Sequence, residues 1–212
     1  LALLPLQNRI RESAPETFAY FARQGVDVKV ISGDDPRAVS HVAAQAGIQG
    51  ASQWVDAAAI KNDRELEKAA ACCTVFGRVT PEQKRKLVHA LQKQGHTVAM
   101  TGDGVNDVLA LKDADCGIAM ASGAQAASQV AQLVLLDSDF GALPHVVAEG
   151  RRVINNIQRS ASLFLVKNIF SVLLSVVSLV LPLTYPFLPL QLSLLSAATI
   201  GTPAFFLALE PN

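Results

Sequence analysis

Short apolar blocks alternate with polar helical stretches through residues 1–142, whereas from 160 to 209 the chain is almost uniformly apolar, with Lys167 as its only charged side chain. Residues 26–31 (Val-Asp-Val-Lys-Val-Ile) repeat with a period of two and are β-branched at alternate positions, which predicts a strand. Shorter strands are predicted at 74–77, 97–100, 117–119 and 133–136. Between them the pattern predicts helices. One opens at Ser13, with Glu16 completing a capping box and Gly25 ending it. Others cover 36–46, 63–71, 106–112 and 124–131, and a further one starts at Thr80 and ends at Gly95. For that helix Thr80 is the N-cap, Pro81 lies in the first turn, and Gln83 follows the cap by three residues. Strands alternating with helices imply an α/β fold with a Rossmann-like parallel sheet and crossover connections.

The apolar third divides into two stretches. Residues 161–181 have the length that crosses a hydrocarbon core, about twenty helical residues. Pro182, Pro186 and Pro189 then mark a turn, and 187–209 supply a second stretch, so the pattern predicts an α-helical transmembrane hairpin. Core helices of a soluble protein are the other reading, and length and sparse charge argue against it. Arg151, Arg152 and Arg159 precede the first span, which places the soluble part in the cytoplasm and the Pro-rich turn outside, as in a multi-pass protein of the cell membrane. Residues 143–160 read as a helical connector running into that span, giving an organisation of 1–142, 143–160 and 161–212.

Composition adds little beyond this division. Eighteen basic and eighteen acidic side chains cancel, and 50% of residues are hydrophobic, an average over two solvents. No basic patch with interleaved aromatics points to nucleic acid. Cys72, Cys73 and Cys116 form neither a metal-spaced set nor a disulfide framework, and the adjacent pair reads as buried small apolar residues in a reducing cytosol. His41, His89, His96 and His145 show no ligand spacing.

The candidate chemistry lies at strand ends. Met100-Thr101-Gly102-Asp103-Gly104-Val105-Asn106-Asp107 places two carboxylates and an amide around a glycine turn after an apolar strand, at the carboxyl edge where open α/β sheets bind ligands. Hard oxygen donors of this kind suit Mg²⁺ together with a phosphate. Ser32-Gly33-Asp34-Asp35-Pro36 ends the first strand at the same edge, with a hydroxyl and backbone N–H groups for a phosphate oxygen. Lys84, on the first turn of its helix, could offset phosphate charge there.

These motifs, in this order with Pro81-Glu82-Gln83-Lys84 and Leu111-Lys112-Asp113-Ala114-Asp115-Cys116-Gly117, resemble the phosphorylation domain of P-type cation-transporting ATPases, a branch of the haloacid dehalogenase-like fold. The ending Thr199-Ile200-Gly201-Thr202-Pro203 is similar to the bacterial E-type cation ATPases, a subgroup associated with calcium. The resemblance implies Asp103 as a Mg²⁺ ligand, Asp107 as a second metal-site carboxylate with Asn106 beside it, Ser32, Gly33 and Asp34 as phosphate-binding, and Lys84, Asp103 and Asp107 as catalytic, with ATP as substrate. Arg11 matches a nucleotide-side arginine, although Asn8 replaces the acid of that motif. Asn168 and Ser171 in the first span, and Ser196 and Thr199 in the second, fall at or beside ion-site positions. Ser171 and Ile200 stand where well-known calcium pumps carry acids, and the serines equally suit close helix packing. A helix opened near Gly201-Thr202-Pro203 would offer carbonyls to a cation.

The family phosphorylates the aspartate of an Asp-Lys-Thr-Gly motif, which these residues do not contain. The expectation is therefore a fragment of an ATP-driven cation pump, inactive by itself. It would lack the actuator and nucleotide-binding domains, the other membrane segments and the nucleophile strand. In the related fold that strand lies between those ending at Ser32 and Met100, so these two should not pair. A membrane-tethered phosphatase of the same fold and a non-catalytic membrane partner are the alternatives.

Overall fold

The computed structural model describes residues 10–181 and 187–209, without the side chains of 189 and 207–209. Asn8, Pro182 and Pro186 lie outside the described residues. The chain divides into two compact units, Leu1–Pro144 and His145–Asn212.

The first unit is built of parallel β-strands and helices. Helix α1 (Ala14–Arg23) lacks the expected capping box, because Ser13 itself adopts helical angles (φ −73°, ψ −17°) and Thr17 Oγ1 donates back to its carbonyl at 2.8 Å. At its other end Gly25 takes φ +72°, and the Val26 N–H donates to the Phe21 carbonyl at 3.0 Å, closing a Schellman turn. That turn draws Val26 into the helix end. The predicted strand over 26–31 is consequently reduced to β1 (Val30–Ile31). Helix α2 (Pro36–Gln45) follows, capped by Asp35, whose Oδ1 accepts from the Arg37 N–H at 3.0 Å.

Strand β2 (Trp54–Asp56) has no counterpart in the sequence reading, since a three-residue edge strand is too short to show alternation. Its Trp54 ring lies 5.9 Å from the Arg37 guanidinium. Helix α3 (Asp63–Cys72), capped by Asn62, leads into β3 (Val75–Gly77), the middle strand of a three-stranded parallel sheet ordered β1-β3-β2. Helix α4 (Pro81–Lys93) carries the predicted capping box: Thr80 Oγ1 accepts from the Gln83 N–H at 3.2 Å, and Gln83 Oε1 accepts from the Thr80 N–H at 3.0 Å.

A second parallel sheet, ordered β4-β5-β6, holds β4 (Ala99–Gly102), β5 (Cys116–Met120) and β6 (Leu133–Leu135). Strand β4 lies two residues beyond its predicted span, because its ladder runs from Ala99 opposite Cys116 to Gly102 opposite Ala119. Helix α5 (Val108–Asp113) is entered through a 3₁₀ turn at Val105–Asp107, and α6 (Gln125–Val130) follows β5. As expected, β1 and β4 do not pair; they belong to separate sheets.

Helix α4 ties the two sheets together. Leu87 packs with Phe76 of the first sheet and Leu66 of α3, while the next residue, Val88, packs with Met100 of the second sheet and with Ala110 and Leu111 of α5. Both are 1% exposed, and full burial of such side chains is worth about 1.5–3 kcal/mol each. The helix that bears Lys84 is thereby fixed to both halves of the unit.

Helix α7 (Leu143–Val180) has 38 residues, about 57 Å at 1.5 Å per residue, and it is the one helix among the described residues long and apolar enough to cross a membrane. Phe164, Val166, Ile169 and Val172 along it are exposed. The second predicted stretch is helical without interruption from Pro189 to Leu209. Residues 187–209 form α8 (Pro189–Ser196), a π turn at Ala197–Gly201 and α9 (Thr202–Leu209), and their apolar stretch Leu190–Phe206 is shorter than a spanning helix. Pro203 has no N–H to donate, so an unbroken α-helical ladder cannot run through this point.

Candidate functional site

The carboxyl ends of β1 and β4 supply the candidate residues. After β1, the Ser32 N–H donates to the Phe76 carbonyl at 2.9 Å, and the Val79 N–H donates to the Ser32 carbonyl at 3.0 Å, which ties the Ser32 turn to the residue preceding the N-cap of α4. The Ser32 hydroxyl accepts from the Asp34 N–H at 3.2 Å and donates to Asp34 Oδ2 at 3.1 Å. A Cβ built on Gly33 meets no atom within 4 Å, so this turn faces open space.

On α4, Lys84 Nζ lies 2.7 Å from Asp107 Oδ1, with the two side chains 14% and 9% exposed. The other oxygen, Oδ2, accepts from the Gly104 N–H at 3.2 Å. Gly102 is required by packing: a Cβ there would come within 2.6 Å of the Asp107 Cβ, and the glycine gives Asp107 room against the end of β4. Asp103 and Asn106 are exposed on the same turn. The Asp103 carbonyl accepts from the Ala124 N–H at 2.6 Å, and the absent side chain of Gly123 leaves space for the Asp103 backbone. Lys84, Asp107 and Gly104 thus meet directly, Asp103 projects beside them, and Ser32 lies on the turn joined to the start of α4. Arg11 is held elsewhere, donating to the Ser138 carbonyl at 2.9 Å and to Asp139 Oδ1 at 3.3 Å.

This donor set fits Mg²⁺ in one manner. Asp107 is committed to Lys84 and Gly104, Asp103 offers a free-standing carboxylate, and no group of three or more His, Cys, Asp or Glu among the described residues could cage an ion. Mg²⁺ commonly takes one or two carboxylates and completes its shell with water and substrate phosphate.

Arg78 has no signal in the sequence. It adopts φ +53°, in the left-handed region, and its guanidinium reaches Asp35 at 2.9 Å and Asp56 at 3.0 Å across the same edge. Cys72 is exposed rather than buried, while Cys73 packs against the core with the two sulfurs 3.7 Å apart. Burial, followed by contact with Cys72, pushes the Cys73 thiol pKa up.

At the far end of α5, Asp113 accepts from Arg85 Nε and pairs with His89 Nε2 at 2.8 Å. The Arg85 hydrogen bond, with His89 acting in the same direction, holds the Asp113 carboxyl below its ordinary range. A carboxyl with a depressed folded pKa contributes stability that is fully present above the unfolded value of about 3.9 and is lost as pH falls through the folded value. Thermal unfolding should show Asp113→Asn less stable than the wild type at pH 7, with the gap narrowing below about pH 4.

In the second unit, Asn168 is exposed and Ser171 half-buried on α7. Ser196 Oγ and Thr199 Oγ1 donate to the carbonyls of Leu192 at 2.6 Å and Leu195 at 2.7 Å, leaving their oxygens as acceptors beside the π turn.

Comparison with known proteins fits this architecture. The chain belongs to the haloacid dehalogenase-like hydrolase family, whose model matches residues 1–115. Over its whole length it is 51% identical to the calcium-transporting ATPase CtpE of Mycolicibacterium smegmatis and 52% identical to that of Mycobacterium tuberculosis, and it spans 28% of each. A crystal structure of a zinc-transporting PIB-type ATPase in its E2.Pi state aligns over 95% of this chain and 28% of that one, with a TM-score of 0.69 and 25% identity. Within the family, the chain is similar to ATPases that transport cations, of which it spans little more than a quarter.

Proposed function

We propose that this chain is the carboxyl-side part of the phosphorylation domain, with adjoining membrane segments, of an ATP-driven cation pump that works through an aspartyl-phosphate. The observation that carries the reading is the buried Lys84–Asp107 pair at 2.7 Å, set at the joint of the two sheets beside the exposed Asp103. A lysine and a paired aspartate at a carboxyl edge provide fixed charge of both signs where a phosphoryl group would be handled, and phosphoryl transfer depends mainly on positioning and electrostatics. In this reading Ser32, Gly33 and Asp34 bind phosphoryl oxygens, and Lys84 offsets their charge. Asp103 would hold Mg²⁺, with Asp107 and Asn106 organising the turn around it. When bound, Mg²⁺ supplies Lewis-acid charge on the phosphoryl oxygens. Arg11, tied to Asp139, would reach a nucleotide only by leaving that partner.

The domain division is 1–142 for the phosphorylation domain, 143–160 for the connector and 161–212 for the membrane part, with the soluble part in the cytoplasm. Two membrane helices belong to the proposal, and α8 and α9 with their π turn would form the second. The oxygens of Asn168, Ser171, Ser196 and Thr199, the last two beside the π segment Ala197–Gly201, are the proposed ion ligands. Calcium is the proposed ion, because relatives 51% and 52% identical over the whole chain are named calcium-transporting. Transport by the full-length protein, compared for Ca²⁺, Mg²⁺, Mn²⁺ and K⁺, tests this choice. ATP-dependent movement of Ca²⁺ ahead of the other three is expected, and movement of another ion without Ca²⁺ would overturn it.

A further inference from the structure

Helix α5 has only six residues, about 9 Å, too short to hold its position by helical propensity. Its placement therefore depends on what grips its ends. At the start, Asp107 meets Lys84 of α4. At the finish, three side chains of the same helix converge on Asp113: Arg85 and His89 on the carboxylate, and Gln92, whose Nε2 donates to the Asp113 carbonyl at 2.9 Å. His89 Nδ1 also lies 3.2 Å from Gln92 Oε1, which orients the imidazole. Leu111, 0% exposed, packs between these two ties with Val88 of α4. The two helices run side by side, joined at both ends, and Arg85 immediately follows Lys84 in the chain.

We propose that Asp113 is a positioning residue which, through Arg85, His89 and Gln92, sets the register of α5 on α4 and so fixes where Asp107 meets Lys84. This inference rests on the phosphoryl-transfer reading for its consequence, though not for its geometry. A constellation of this kind must be held to within about 0.5 Å to remain productive, and a six-residue helix released at one end can pivot by more than that. Asp113 touches none of the proposed ligands. Its effect is transmitted along α5 to the turn at 104–107, where the Gly104 N–H rests on Asp107 Oδ2.

The test uses the full-length protein with Asp113→Asn and the conservative Asp113→Glu, and two readouts that are independent of the active fraction. The first is hydrogen exchange in the absence of Mg²⁺. In Asp113→Asn, peptides covering 102–110 should exchange about tenfold faster, while those covering 28–32 and 74–78 stay at the wild-type rate, and Asp113→Glu should restore most of the protection. The second is the Mg²⁺ concentration for half-maximal ATP hydrolysis, expected to rise roughly tenfold in Asp113→Asn and less in Asp113→Glu. Unchanged exchange at 102–110, or uniformly faster exchange over the whole unit, would overturn the positioning role. A wild type without Mg²⁺-dependent hydrolysis would instead remove the phosphoryl-transfer reading, and the exchange result would still decide the role of Asp113.

Discussion

Asp103→Ala in the full-length protein is expected to lower Mg²⁺-dependent ATP hydrolysis by about 10²–10³-fold. The reason is positional. Asp103 is exposed on the glycine turn while Asp107 is occupied by Lys84 and the Gly104 N–H, which leaves Asp103 as the carboxylate able to face a hydrated cation. The Ala124 N–H and the space over Gly123 hold the Asp103 backbone, not its carboxylate, so truncating the side chain should leave the turn intact. The loss is therefore expected in rate at unchanged thermal stability. Steady-state hydrolysis measured over a series of Mg²⁺ concentrations, with thermal unfolding in parallel, checks both halves of the expectation.

Lys84→Met should act through the fold as well as the chemistry. It leaves the Asp107 side chain, 9% exposed in the pair, with its cation gone, and removing one partner of a buried pair typically costs about 3–5 kcal/mol. Adding Asp107→Asn to Lys84→Met removes the stranded charge and should return most of that stability. Activity should not return with it, because the proposed phosphate charge partner is still missing. Denaturation and hydrolysis measured on the single and double variants separate the two contributions. A double variant as unstable as Lys84→Met would show that the pair does not govern the stability of this joint.

The sequence pattern discloses much of this arrangement because the responsible forces are local. Thr80, Pro81 and Gln83 form their cap within four residues, and Gly25 and Gly95 end their helices through positive φ at the places their spacing indicates. Separation of β1 from β4 was legible by another route, from likeness to a fold in which a further strand lies between them. What escaped was decided by competing local bonds at two places and by distant contacts elsewhere. Ser13 and Glu16 have the capping-box spacing, yet Ser13 turns helical and the box does not form. Residues 26–29 alternate as a strand should, but Val26 is captured by the end of α1. β2 and the left-handed Arg78 depend on partners far along the chain, at β3 and at Asp35 and Asp56. In the apolar third, hydropathy shows the helical stretch but not the change to π hydrogen bonding at Ala197–Gly201 within it.

Transfer of a phosphoryl group to an aspartate leaves a covalent product that can be trapped. Radiolabelled ATP incubated with the full-length protein, followed by acid quench, should yield a Mg²⁺-dependent, acid-stable phosphoprotein that hydroxylamine cleaves, as expected of an acyl phosphate, and that Asp103→Ala suppresses. A wild-type protein that hydrolyses ATP without such a labelled intermediate, or whose label resists hydroxylamine, would contradict it.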